Sequence, residues 1–191
     1  DIVINDDISY LFNLDIKDFP VAAVEDLMMS DGKKETLGMQ SLQPYFNAGV
    51  LKMNLNYFRE NSLTQQILEF IITNPEKCEW WDQDALNAVL KGNFYRLDFR
   101  YNMQGVLYER FNSEEHLREA FSNPAIIHFT GGGPCKPWFY YSKHPLKELY
   151  YEHLRNTPFC KYTPPDKPSD FKRIRRKVKR SLKRIFFKNV D

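Results

Sequence analysis

Short apolar segments of strand length alternate with segments of helical periodicity along most of the chain, and this alternation constrains the fold more than any other feature. Phe19–Val24 and Ala125–Phe129 have the length and composition of buried strands. Between them, residues 57–72 carry apolar side chains at positions 58, 63, 67, 70 and 71, which is near helical spacing. Strands that alternate with helices predict an α/β fold with a mostly parallel central sheet.

Two polar motifs are predicted at the edge where such sheets bind ligands, beyond the carboxyl ends of the strands. The run Asp82–Asp84 precedes the apolar segment 85–90, where an acidic residue is expected to cap a short helix. The second motif, His128–Lys136, begins at the end of a strand and contains three glycines. Taken alone, the carboxylates of Asp82 and Asp84 also fit a helix cap and a solvated surface.

The second motif has the composition of a diphosphate site. The glycines at 131–133 allow close approach to the backbone, and Lys136 supplies one positive charge. His128 can offer a neutral imidazole to a divalent metal. Each feature has a structural alternative, since a glycine loop can carry a structural histidine, and Asn47 in a small-residue turn can simply bond the backbone.

Charge is distributed unevenly along the 191 residues. Positions 171–191 contain ten Lys or Arg and one acidic residue, whereas the preceding 170 residues contain 17 basic and 24 acidic residues. This pattern differs from that of a uniformly basic nucleic-acid binder, so we expect no nucleic-acid partner. The three cysteines lack CxxC spacing, which argues against a zinc knuckle or disulfide scaffold and favours a reduced, cytosolic setting.

Four motifs, in their order along the chain, resemble glycosyltransferase family 8. They lie at residues 1–8, 46–51, 82–87 and 128–138, and the resemblance extends to about residue 160. The most specific are the His…Gly…Lys-Pro-Trp element and the Asn-Ala-Gly element. The family contains retaining enzymes, among them glycogenin and bacterial lipopolysaccharide glucosyl- and galactosyltransferases, and residues 140–149 resemble the lipopolysaccharide branch.

The resemblance implies a GT-A-like fold and the use of UDP-hexose with Mn²⁺ or Mg²⁺. Asp1 matches the last aspartate of the family's Asp-x-Asp metal motif, and His128 matches a second metal ligand. The first aspartate of the motif would precede residue 1, and a predicted strand begins at the first residue. We therefore expect the chain to be the C-terminal part of a longer enzyme.

The same resemblance assigns the diphosphate and the sugar to different residues. Lys136 and the backbone of Gly131 match the diphosphate binders, with Gly133 as the alternative because the loop is two residues longer than usual. Residues 82 and 83 match the donor-sugar side: Asp82 the carboxylate that holds sugar hydroxyls, and Gln83 the residue that faces the anomeric carbon. In the Asn-Ala-Gly element, Asn47 and Ala48 match positions beside the sugar.

An amide is a poor nucleophile, so departure and attack on one face of the sugar are favoured, with Gln83 stabilising an oxocarbenium-like state. A covalent double displacement is the alternative.

The C-terminal segment is predicted to be separate from the body. Three prolines predict a stiff linker over 164–168. Beyond it, apolar residues recur at helical spacing, and Lys and Arg fill the rest: Phe171, Ile174, Val178, Leu182, Ile185 and Phe186. A basic amphipathic helix over 169–188 favours an anionic membrane surface. The alternatives are docking on the body or on another copy, and an RNA-binding arm.

These features predict three segments: residues 1–163 as the C-terminal portion of a catalytic domain, 164–168 as the linker and 169–191 as the tail. The predicted function is transfer of glucose or galactose from a UDP-sugar to a glycan or glycolipid in lipopolysaccharide or cell-surface polysaccharide synthesis. The expected location is cytoplasmic, on the inner face of the membrane. The alternatives are an inactive sugar-nucleotide-binding or scaffold protein and, less favoured, a self-glucosylating initiator like glycogenin.

Overall fold

The computed structural model describes residues 1–105, 107, 114–169, 171 and 174–175. The chain divides into two compact units, Asp1–Thr130 and Gly131–Asp191. The bounds of the strands and α-helices, in chain order, are β1 (Ile2–Ile4), α1 (Ser9–Asn13), β2 (Val21–Glu25), α2 (Asp31–Thr36), β3 (Phe46–Met53), α3 (Leu55–Glu60), α4 (Leu63–Thr73), α5 (Trp81–Leu90), β4 (Tyr95–Arg96), β5 (Met103–Gln104), α6 (Glu115–Ser122), β6 (Ile126–His128) and α7 (Lys147–Arg155).

Within the described residues of the first unit, the strands form two mixed sheets of three strands, in the orders β1-β6-β5 and β3-β2-β4. Strand β2 is antiparallel to β3 and parallel to β4, and β6 is antiparallel to β1 and parallel to β5. The α/β class is therefore confirmed, but the expected mostly parallel sheet is replaced by mixed pairing. The pairing is mixed because each sheet has an antiparallel outer strand: β1 pairs with the central strand β6, and β3 pairs with the central strand β2.

Strand β2 lies at the centre of the core, as its apolar sequence predicts. Val21 and Ala23 pack into one apolar cluster, against Phe46 and side chains of α3 to α5. Ala22 and Val24 pack into a second cluster on the opposite face. Successive strand residues point to opposite faces, so a strand buried on both faces carries apolar residues without alternation.

The single helix expected over 57–72 is two helices in the structure, α3 and α4. Between them Ser62 adopts a left-handed conformation with φ of 51°. Phe58 and Leu63 both belong to the cluster that contains Val21, whereas in one continuous helix they would point roughly 140° apart. The break allows both side chains to reach the same core.

Strand β1 is less buried than its three apolar residues predict. Val3 is in the core, but Ile2 and Ile4 are 41% and 53% exposed. An edge strand with one covered face buries only alternate residues, and β1 is the outer strand of its sheet.

The second unit is built around α7 and the loops that flank it. The Asp166 carboxylate accepts hydrogen bonds from the backbone N–H groups of Tyr140 and Tyr141. The Lys147 ammonium donates to the carbonyls of Phe139 and Tyr140. Residue 166 of the predicted linker is thus joined to the loop before α7.

Of the predicted basic helix the structure describes only 169, 171 and 174–175, so the rest of that prediction lies outside the described residues. The boundaries at 163 and 168 also stay predictions. Within the part of the chain that is described, no helix is long and apolar enough to cross a bilayer.

Candidate active site

Antiparallel pairing places the start of β1 beside the end of β6. Ile2 is opposite His128 in the register, so Asp1 lies next to the histidine that ends β6. The Asp1 carboxylate Oδ1 is 3.6 Å from His128 Nε2, and the two side chains are 34% and 12% exposed. The structure therefore brings together the two residues that the sequence assigned to a metal.

The His128 ring is held on its other side by two features of the protein. Its Nδ1 lies 3.0 Å from the side-chain oxygen of Asn102, a residue that is fully buried just before β5. The ring also lies against Gly49 of β3, where a Cβ would overlap the ring atoms Nδ1 and Cε1. Gly49 is therefore required for the close approach of the ring, and not for an unusual backbone conformation.

A network of side-chain amides extends from Asn102 to the start of α5. The Asn102 amide donates to Asn47 Oδ1 over 2.9 Å, and Asn47 Nδ2 donates to Gln83 Oε1 over 3.0 Å. Two backbone groups join the same oxygens, since the Gly49 N–H donates to Asn47 and the Ala48 N–H donates to Gln83. The predicted sugar-side residues 47, 48 and 83 are thus in direct contact.

Asp26 completes this network, although none of the sequence motifs includes it. It follows β2, and Gln83 Nε2 donates to its carboxylate over 3.4 Å. Burial raises the pKa of Asp26, while hydrogen bonds from the Met28 N–H and the amides of Asn47 and Gln83 counteract the shift. Its position at the carboxyl end of a buried strand was the available signal.

The two aspartates of the Asp82–Asp84 run have opposite environments. Asp82 is exposed and lies on an apolar groove of about 440 Å³, which α3 and α4 also line. Asp84 is fully buried. It accepts hydrogen bonds from the Tyr45 hydroxyl and the Trp80 N–H, each over 2.7 Å.

The buried carboxylate is also paired with a cation, because Lys33 Nζ lies 2.9 Å from Asp84 Oδ2. The interpretation of Asp84 as solvated surface is therefore wrong. Burial and, as the smaller cause, the hydrogen bond to Asp84 raise the pKa of Tyr45, so its hydroxyl stays a donor. Asp84 contributes to the structure of the helix start, whereas its neighbour Asp82 is available to a ligand.

Within the second unit, residues 131–136 form a tight turn. Gly131 and Gly133 have φ of 84° and 51°, a region that favours glycine. A short 3₁₀ turn over Gly133–Cys135 follows. The Lys136 ammonium lies 5.6 Å from the centre of the Trp138 ring, and burial lowers the pKa of Lys136.

Most of the chain matches a known protein family. The model of glycosyl transferase family 8 matches residues 1–142. The chain belongs to glycosyltransferase family 8. The resemblance drawn from the four motifs is thereby confirmed.

Two bacterial proteins are similar over most of this chain. This chain is 34% identical over 165 residues to general stress protein A of Bacillus subtilis. The aligned region covers 82% of this chain and 57% of that protein. It is also 27% identical over 174 residues to the lipopolysaccharide 1,2-glucosyltransferase of Escherichia coli. That aligned region covers 88% of this chain and 51% of the enzyme. The chain thus spans about half the length of these two relatives.

A solved structure confirms the GT-A-like fold. The galactosyltransferase LgtC, in complex with donor and acceptor sugar analogs, superposes with a TM-score of 0.69 at 25% identity. The match covers 87% of this chain and 61% of LgtC. A family 8 glycosyltransferase fold therefore surrounds the Asp1–His128 pair and the amide network.

The donor atoms of Asp1 and His128 fit a divalent ion. A carboxylate and an imidazole suit Mn²⁺, and two ligands at ~2.1 Å from one octahedral ion lie about 3 Å apart. The observed 3.6 Å between Oδ1 and Nε2 is close to that separation. Among the described residues, no group of three or more His, Cys, Asp or Glu side chains is arranged to hold a metal. Asp1 and His128 are thus two candidate ligands.

Proposed function

We propose that this family 8 protein is a retaining transferase that moves glucose or galactose from a UDP-sugar to a glycan or glycolipid. The observation that carries the proposal is the contact network that joins the Asp1–His128 pair to the Asn47–Gln83 amides. Support comes from LgtC, whose structure holds donor and acceptor sugar analogs. The similarity to a lipopolysaccharide glucosyltransferase supports an acceptor in lipopolysaccharide or cell-surface polysaccharide synthesis.

Asp1 and His128 would hold Mn²⁺ or Mg²⁺. When bound, the ion stabilises the negative charge that develops on the leaving diphosphate. Within the second unit, Lys136 and the turn at Gly131 and Gly133 match the diphosphate binders of the family, because they combine one positive charge with backbone N–H groups.

Gln83 and Asp82 act on the sugar in this proposal. The Gln83 carbonyl accepts hydrogen bonds from the Asn47 amide and the Ala48 N–H, so its oxygen has a fixed position. A preorganised dipole stabilises a developing oxocarbenium without becoming a nucleophile. This arrangement favours departure and attack on one face of the sugar, and Asp82 binds sugar hydroxyls.

Transfer assays with UDP-glucose and UDP-galactose test the proposal in the intact protein. We expect Mn²⁺-dependent turnover that EDTA abolishes. Asp82→Asn and Gln83→Ala are each expected to lower kcat by about 100-fold and to change UDP affinity by less than about 3-fold, because their contacts are made to the sugar in the transition state. UDP affinity is measured by calorimetry.

Lys91→Ala is the matched control, since this exposed residue follows the far end of α5. Its turnover should equal that of the wild type. UDP binding without transfer from either sugar would support the inactive, sugar-nucleotide-binding alternative. A loss of UDP affinity in step with kcat would contradict the sugar-side assignment of Asp82 and Gln83.

We further propose that residues 169–188 bind the anionic inner face of the membrane and hold the enzyme near a glycolipid acceptor. The support is the sequence, in which ten basic residues surround a regular apolar pattern. Each basic residue near an anionic surface contributes about 1 kcal/mol of attraction. This attraction weakens with salt, because the Debye length is about 8 Å at physiological ionic strength.

Deletion of 169–191 is expected to abolish co-sedimentation with anionic vesicles and to leave transfer to a soluble acceptor within about 2-fold of the wild type. Neutral vesicles are the control and should sediment little of either protein. Equal sedimentation of the full and truncated proteins with anionic vesicles would contradict the membrane proposal. A fall in thermal stability without a change in vesicle binding would instead support docking on the body.

A further inference from the structure

Asn102 connects the amide network to the histidine of the metal pair. We propose that Asn102 is a positioning residue that keeps the proton of the neutral His128 imidazole on Nδ1, so that Nε2 presents its lone pair to the divalent ion. The inference rests on the proposed function, since it concerns the metal that His128 would hold. Asn102 would thus affect metal affinity through His128, without contacting the metal itself.

Backbone donors fix the polarity of the network, which is the donor-to-acceptor direction of each hydrogen bond in it. A backbone N–H can only donate, so the Gly49 N–H identifies the atom it contacts as the oxygen of the Asn47 side chain, 3.0 Å away. The Ala48 N–H identifies the Gln83 oxygen in the same way, over 2.9 Å. The Asn47 nitrogen is therefore the group that donates to Gln83 Oε1.

This polarity determines the orientation of Asn102. The Asn47 oxygen accepts from Asn102 Nδ2 over 2.9 Å, so the oxygen of Asn102 is the atom that faces His128. An amide oxygen only accepts hydrogen bonds, and the 3.0 Å contact with Nδ1 therefore requires a proton on that nitrogen. In a neutral imidazole the lone pair then lies on the other nitrogen, Nε2.

The geometry directs that lone pair toward the metal pair. Nε2 is the ring atom that lies 3.6 Å from Asp1 Oδ1. Rotation of the Asn102 amide by 180° would place its NH₂ group against the Nδ1 proton and its oxygen against the Asn47 oxygen. Asn102 is fully buried, and the ring lies so close to Gly49 that a Cβ at this position would overlap Cε1 and Nδ1.

Two substitutions separate positioning from packing. Asn102→Leu removes the acceptor for the Nδ1 proton. Asn102→Asp retains an acceptor but loses the donor to Asn47. Outer partners of metal-binding histidines typically change metal affinity by 10–100-fold, so we expect Asn102→Leu to weaken Mn²⁺ binding by about that factor, while Asn102→Asp stays within about 3-fold of the wild type.

The readouts are the Mn²⁺ dissociation constant by electron paramagnetic resonance and the tautomer by ¹⁵N NMR of the imidazole in the metal-free protein. The NMR spectra are recorded at about pH 8.5, about two units above the ordinary pKa of a histidine side chain. We expect a protonated Nδ1 in the wild type and in Asn102→Asp, and protonated Nε2 in a measurable fraction of Asn102→Leu. Asn54→Ala is the control. It removes the cap of α3 and leaves the network intact, so its tautomer and Mn²⁺ affinity should match the wild type.

The result that would overturn the inference is a folded Asn102→Leu protein with unchanged tautomer and Mn²⁺ affinity. If thermal melting shows that this variant does not fold, the wild type decides, because protonated Nε2 there would also overturn it. A wild-type protein that does not bind Mn²⁺ would contradict the metal assignment in the proposed function. The tautomer comparison would still test Asn102 in that case.

Discussion

Replacing His128 with alanine is expected to lower metal-dependent transfer by at least about 100-fold and to leave the fold intact. A divalent ion contributes several kcal/mol of transition-state stabilisation in reactions of this kind, and each 1.36 kcal/mol corresponds to a factor of about ten in rate. The His128 side chain is 12% exposed and lies at the end of β6, the central strand of its sheet. Its removal leaves the backbone pairing of β6 in place. The measurement is kcat over a range of Mn²⁺ concentrations.

His153→Ala is the matched control, because this histidine is exposed on α7 of the second unit. Its Mn²⁺ dependence should equal that of the wild type. If the loss in His128→Ala came from the metal site, saturating Mn²⁺ would recover part of the rate while the thermal melting temperature stayed near the wild-type value. Unchanged activity at limiting Mn²⁺ would remove His128 from the metal site.

The sequence contained local information about the fold, and the correct predictions are the local ones. Strand β2 and strand β6 were predictable because a short apolar run specifies a buried strand within its own residues. The break between α3 and α4 was not, because Ser62 and its neighbours carry no Pro or Gly. It results from the requirement that Phe58 and Leu63 reach one cluster, which depends on the position of β2.

The candidate site also contains residues that the sequence identifies and one that it does not. Asp1, His128, Asn47 and Gln83 were identifiable because their motifs resemble those of a family. Asn102 was not, since its role depends on hydrogen bonds to residues 26 and 55 positions away. A buried Asn before a two-residue strand has no distinctive local pattern, and only the pairing of β5 with β6 places it beside the histidine.

Asp84 shows that neighbouring residues of the same type can differ in environment. Both aspartates of the Asp82–Asp84 run fit the first turn of a helix, where negative charge is favourable. On a helix, positions two apart do not face the same side. Asp84 therefore points into the protein toward Lys33 and Tyr45, and Asp82 points away from them.

Asp84→Ala is expected to destabilise the protein by about 3 kcal/mol, because it removes the buried one of the two carboxylates that pair with Lys33. It also removes the acceptor for the Tyr45 hydroxyl and the Trp80 N–H. Loss of one member of a buried ion pair costs on the order of 3–5 kcal/mol. The lower end applies because Lys33 Nζ also donates to the Lys77 carbonyl over 2.8 Å. In a chain of this size the melting temperature should fall by about 6–12 °C.

Two further variants identify the cause of that loss. Asp82→Ala, two residues away and exposed, is expected to change the free energy of unfolding by no more than about 0.5 kcal/mol. Lys33→Met added to Asp84→Ala should recover part of the stability, because no buried cation is then left without its carboxylate. The measurement is denaturant unfolding of all four proteins. A double variant no more stable than Asp84→Ala would show that the hydrogen bonds from Tyr45 and Trp80, rather than the ion pair, account for the effect.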